Sequence, residues 1–121
     1  MRSNDKGFHR SIRVSWFDKF ERSANKRGID WDLTLDDLAD LYDKQEGKCS
    51  LTGWHIYMPN SGYHLDTEAS IDRINSAFGY ITGNVQLVNK RVNMMKQSYS
   101  QSQFIDTCRG VATYRRQSNG T

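Results

Sequence analysis

ASIDRINSAFGYITGNVQLVNKRVNMMK, residues 69–96, is the stretch whose reading decides the fold. It opens with a short apolar run that contains Asp72 and Arg73, and a loop bearing Gly79 and Gly83 follows. Val85, Leu87 and Val88 suit a second strand, because branched and apolar side chains fit a pleated, half-buried surface. From Asn89 to Lys96 the periodicity changes. Val88, Val92 and Met95 fall at i, i+4 and i+7, the spacing of one helix face. The order is therefore strand, loop, strand, helix. Asn89, Asn93 and Lys96 repeat the same spacing on another face, so polar groups of the short helix are expected to converge toward Asp72.

Taken with residues upstream, this stretch resembles the ββα-metal core of HNH (His-Me finger) endonucleases, in a phage and bacterial variant. The matching residues are Cys49, Thr52, Gly53, Ser70, Ile71, Asp72, Arg73, Ile74, Asn75, Ser76, Gly79, Tyr80, Gly83, Asn84, Val85 and Gln86. The resemblance covers Lys48 to Ala112, and the combination is far more specific than any single Gly or Asn in it. In the general family the first strand carries an Asp-His pair, the Asp a metal ligand and the His the general base. A middle Asn braces the loop, and an Asn on the helix completes the metal site. The resemblance implies that Asp72 and Asn93 hold one Mg²⁺ or Mn²⁺ ion and that Asn84 is the brace. It implies an α+β fold: a ββα-metal core over residues 48–98, between a basic, mostly helical part at 1–47 and a C-terminal helix at 99–116. The sequence departs from the family at one place, because Arg73 stands where the general base would be His.

Upstream, Ser15 with Asp18 reads as a capping-box-like helix start; Trp16, Phe17, Phe20 and Ala24 give the apolar side, and Gly28 ends it. Ile29 to Leu33 alternates as a short strand or extended link. Thr34 with Asp37 opens a second helix whose stripe is Leu35, Leu38, Leu41 and Tyr42, stopped by Gly47. Both helices read first as core support. Leu51-Thr52-Gly53 is a turn, Trp54 to Tyr57 a strand, and Pro59 to Asp66 a loop of turn formers that carries His64. Downstream, Ser100 and Gln103 form a capping box, and Phe104, Cys108, Val111 and Ala112 give a stripe expected to close over the core. Residues 1–12 read as flexible, and Gln117 to Thr121 as a polar tail.

A chain of 121 residues suits one domain, and 36% hydrophobic content with a mean hydropathy of −0.79 implies a small core with plentiful loops. No apolar run reaches membrane-spanning length and the start lacks a signal-peptide h-region, so a soluble, intracellular protein is expected, in the bacterial host cytoplasm if phage-encoded. Cys49 and Cys108 are too few for a disulfide framework or a four-cysteine zinc site; both are expected as buried thiols, with no structural zinc. Net charge is +3 with pI near 8.9, and its distribution says more. Arg2, Arg10, Arg13, Arg22, Lys26 and Arg27 load the first third, and Lys90, Arg91, Lys96, Arg109, Arg115 and Arg116 the last; acids cluster from Asp30 to Asp43. Any one of these charges fits a solvated surface. As a set flanking the candidate site they point to DNA phosphates, with Arg22, Lys26, Arg27, Lys90, Arg91 and Lys96 as the contacts. No P-loop, Gly-x-Ser-x-Gly or Cys-His triad pattern is present.

Hydrolysis of a DNA phosphodiester needs a nucleophilic water, neutralisation of charge on the transition state and stabilisation of the 3′ leaving oxygen. A carboxylate (Asp72) and an amide oxygen (Asn93) suit a hard cation that supplies the last two. Arg73 cannot replace a basic His: its guanidinium stays protonated and has no acceptor. It can instead hold the scissile phosphate in bidentate fashion. Deprotonation then falls to the metal-bound water, to His64 or to the substrate phosphate. Three readings stand: a metal-dependent DNA endonuclease or nickase, free-standing or homing; a catalytically silent DNA-binding module on the same fold; and a small interaction protein whose basic surface is incidental.

Overall fold

Short apolar runs separated by capping residues divide this chain into many brief elements. The structure, a computed structural model, describes residues 7–59 and 67–117; His64 lies outside the described residues. In chain order the elements are β1 (Phe8–His9), β2 (Ile12–Arg13), α1 (Val14–Lys26), β3 (Trp31–Asp32), α2 (Leu35–Lys44), β4 (Ala69–Arg73), β5 (Tyr80–Ile81), β6 (Val85–Asn89), α3 (Lys90–Lys96) and α4 (Gln101–Gln117). The class is mixed α+β, with small two-stranded sheets and four helices among the described residues. No helix there is long and apolar enough to cross a membrane.

The pair β4–β6 sits at the centre. The strands run antiparallel, in register from Ala69 opposite Asn89 to Arg73 opposite Val85. Opposed residues point to the same side, so Ser70, Asp72, Gln86 and Val88 share one face while Ile71 and Leu87 share the other. Every residue of both strands is buried except half-buried Arg73. Ile71 and Leu87 join one apolar cluster with Ile12, Trp16, Phe17 and Ala24 from the N-terminal part and Leu38 and Ala39 of α2. Each Ile, Leu or Phe among them contributes about 1.5–3 kcal/mol on burial, and the alanines less. Trp16 carries α1 onto β4, its Nε1 donating to Ala69 O at 3.2 Å.

Caps explain most element ends. Thr34 and Asp37 form the expected capping box on α2, each side chain accepting from the other's backbone N–H. Ser100 and Gln103 do the same before α4. Asn89 caps α3, with Oδ1 accepting from the backbone N–H of Arg91 and Val92. One glycine is dictated by close approach: a Cβ on Gly79 would stand 2.6 Å from Asp30 O, where β5 pairs in parallel with β3. That contact ties the loop after β4 to the N-terminal part.

Several expectations from sequence do not hold. The first helix begins at Val14, after Arg13, with no side-chain cap, so Ser15 and Asp18 do not form a box. In the span 1–12 expected to be flexible, residues 8–12 form a hairpin together with Arg13, and Ile12 is wholly buried. Its turn places Arg10 against α2: Nη1 and Nη2 donate to Asp40 and Asp43 at 2.8 and 2.9 Å, and His9 Nε2 meets Asp36 Oδ1 at 2.8 Å. The acidic cluster at 30–43 is in part the counter-surface of this clamp. Trp54 to Tyr57 is not a strand but makes isolated bridges, Lys48 with His55 and Tyr57 with Glu68. Met95 leaves the Val88–Val92 face and is 63% exposed. Helix α4 does not close over the core: none of its residues is buried, and Phe104, Cys108, Val111 and Ala112 line an open cavity with Met95 and Tyr99. Cys108 is accordingly exposed, and only Cys49 is the expected buried thiol.

Candidate functional site

Asp72 is the fourth residue of β4 and lies directly opposite Gln86 of β6. Its carboxylate is 4% exposed and held on both oxygens. Gln86 Nε2 donates to Oδ2 at 2.9 Å, and Lys96 Nζ donates to Oδ1 at 3.2 Å. Gln86 is itself pinned: its Oε1 accepts from Ser50 Oγ and its Nε2 also reaches Gln101 Oε1, both at 2.8 Å. A buried carboxylate survives desolvation only with such partners. Lys96, expected among the DNA contacts, is instead 1% exposed and spends its charge on Asp72.

Asn93 projects from α3 toward the same strand. Its Nδ2 donates to Ser70 Oγ at 2.8 Å and to Ile71 O at 3.4 Å, an amide orientation fixed by that network. Asn89 does not join the convergence, since its side chain caps the helix. Asn93 and Asp72 both line a cleft of about 510 Å³, together with Arg27, Arg73, Ser76, Tyr80 and Gln97.

Arg73 occupies one wall of that cleft. Its Nη1 donates to Ser76 O and Phe78 O, both at 3.0 Å, and its guanidinium carbon lies 5.3 Å from the Tyr80 ring centroid. Arg73 is therefore part of what folds the loop as well as a charge beside Asp72. Arg27, from the end of α1, donates through Nη2 to Tyr80 Oη at 3.0 Å. Two guanidinium groups thus flank one tyrosine at the cleft, and this pairing of Arg27 with Arg73 has no signature in the sequence.

Asn84 spans the loop between β4 and β6. Its Oδ1 accepts from Asn75 N at 3.0 Å, while Nδ2 donates to Asn75 O at 3.0 Å and Gly79 O at 2.9 Å. Three bonds from one side chain replace the ladder that the loop lacks. The remaining basic candidates are scattered. Arg22 and Lys26 are exposed on α1, Arg91 is exposed on α3, and Lys90 is half-buried, 3.4 Å from Glu68.

Among the described residues no group of three or more His, Cys, Asp or Glu side chains could hold a metal ion. The donors at hand are a carboxylate and an amide oxygen, a set suited in type to Mg²⁺ or Mn²⁺. The Lys96 ammonium acts as a stand-in cation there, held by Asp72 Oδ1 and by Arg73 O at 3.4 Å. Sequence reasoning missed Gln86, Ser70 and Tyr80 as parts of this arrangement; the alternation in β4 and β6, which puts Ser70, Asp72 and Gln86 on one face, was the available signal for the first two. Comparison with family models, with curated proteins and with solved structures finds no match to this chain.

Proposed function

We propose that this chain is a metal-dependent DNA endonuclease or nickase of HNH type, with β4, β6 and α3 as its ββα-metal core. The observation that carries the reading is the approach of Asp72 and Asn93, from strand and helix, to one cleft that also receives Arg27 and Arg73. In this reading Asp72 and Asn93 hold one Mg²⁺ or Mn²⁺ ion, which when bound neutralises charge on the phosphate and its 3′ leaving oxygen. Arg73 binds the scissile phosphate. Its Nη1 is anchored on loop carbonyls, so the guanidinium is pre-positioned rather than recruited. Arg27 takes an adjacent phosphate from α1, and exposed Arg22, Lys26 and Arg91 extend the basic track. Asn84 keeps the loop under Arg73 in shape. Arg73 has no acceptor and leaves proton removal to another group, His64 being a candidate. The family resemblance adds a phage-borne, free-standing or homing enzyme working in the bacterial cytoplasm.

The test is cleavage of supercoiled and linear DNA in Mg²⁺ or Mn²⁺. Wild type is expected to nick or cut, and EDTA or Asp72→Ala to abolish it; full activity in either case removes the assignment. A second reading, a silent DNA-binding module, is favoured by the counter-charge that Lys96 already gives Asp72 and by Arg73 at the base position. Salt-dependent DNA binding with no cleavage under any of these conditions would select it.

A further inference from the structure

The cation position at Asp72 is already filled from within the chain. Lys96 Nζ lies 3.2 Å from Asp72 Oδ1 and 3.4 Å from Arg73 O, and its side chain is 1% exposed. Lys96 closes α3 one turn after Asn93, so the amide and the ammonium reach β4 from neighbouring positions on one helix face. Gln86 and Asn93 hold the other polar atoms of the strand face, which leaves the Lys96 side chain as the movable partner. A lysine is a flexible four-carbon stem ending in donors alone. The exit is adjacent: Gln97 and Ser98, immediately after Lys96, line the same open cleft as Asp72. Gln97 turns the chain there with a φ of 52°, so the ordered helix ends at the lysine itself.

Two cations cannot share this carboxylate without strong repulsion, because like charges a few Å apart in a protein interior interact far more than in water. We propose that Lys96 is a tethered competitor for the cation site. It neutralises Asp72 in the metal-free protein, and a divalent ion gains the carboxylate only by driving the ammonium out into the cleft. The proposal rests on Asp72 being a metal ligand. It predicts weak intrinsic metal affinity, set by a residue that is not a ligand, and a resting state in which Asp72 stays paired.

Two measurements on the full-length chain test it. In wild type, an amine-reactive succinimidyl ester followed by peptide mass spectrometry should leave Lys96 unlabelled without metal and label it in millimolar MgCl₂. Exposed Lys26 serves as the internal reference. Titration with Mn²⁺, read by electron paramagnetic resonance, should show Lys96→Gln binding at least about tenfold more tightly than wild type, the scale of one like charge removed nearby. Asp72→Asn should lose the site. If wild type binds Mn²⁺ through Asp72 while Lys96 stays protected and Lys96→Gln binds no tighter, the competitor role falls and the endonuclease reading stands. If no folded protein binds Mn²⁺ at Asp72, both fall. Should Lys96→Gln not fold, labelling of wild type decides alone.

Discussion

Helices α3 and α4 are near neighbours in the chain and are held in place by different means. Helix α3 is short, yet every turn is fixed. Asn89 caps it, Val92 is buried, Asn93 bonds Ser70, and Lys96 reaches Asp72. Helix α4 has 17 residues, a capping box and an apolar stripe, and buries none of them. Its tie to the rest includes Gln101, whose Oε1 meets Gln86. The difference teaches that a helix is fixed by what covers it and by charges it alone can satisfy, more than by length or propensity. Asn93 and Lys96 of the candidate site sit on the fixed helix.

The sharpest way to break that comparison is to remove the charge that α3 supplies. Lys96→Ala leaves a carboxylate buried without its counter-ion, a loss of about 3–5 kcal/mol in urea unfolding. A loss below 1 kcal/mol would mean that Asp72 is served well enough by Gln86 or by water. Next in size is the loop brace. Asn84→Ala strands the Asn75 N–H and takes one of two bonds from each of the Asn75 and Gly79 carbonyls, which keep the N–H of Phe78 and Ile81; stability should fall by about 1–3 kcal/mol, and on the proposed function DNA cleavage should fall too as Arg73 loses its platform. Unchanged melting and unchanged cleavage would reduce Asn84 to a bystander.

A smaller effect belongs to the clamp of the β1–β2 turn on α2. Hydrogen bonds from His9 and then Arg10 hold the Asp36 carboxyl below its ordinary value of 3.8. A depressed carboxyl stabilises the fold above its ordinary value, and that contribution is lost as acid protonates it through the lowered one. Arg10→Ala should therefore unfold more readily than wild type at neutral pH, with the gap closing only below about pH 3.8 and narrowing in high salt. A gap that persists in stronger acid would assign Arg10 a packing role instead. The smallest effect should be at the far end. Val111 is 61% exposed, so Val111→Ser should shift stability by no more than about 0.5 kcal/mol. Amide exchange in α4 should also be faster than in α3. A large loss at Val111 would show that α4 is covered in solution.

What was legible in the sequence was what neighbours along the chain decide. The short apolar runs at Ala69–Arg73 and Val85–Asn89, the capping boxes at Thr34 and Ser100, and the change to helical spacing after Val88 depend on residues within one or two turns. The three bonds of Asn84 are of the same kind, since its loop partners lie 5 and 9 residues away. Long-range polar partners were legible only in part. The spacing of α3 turned Lys96 toward Asp72, 24 residues away, but gave no sign that it would be buried there, and nothing showed that Arg10 meets three acids of α2 or that Arg27 meets Tyr80 across 53 residues. Periodicity tells which face of α3 is polar and which face of α4 is apolar, but it carries no record of the surface brought against either. Only the tertiary structure decided that Lys96 is a buried counter-ion rather than a DNA contact and that the stripe of α4 is left open, because burial depends on the packing of segments far apart in the chain.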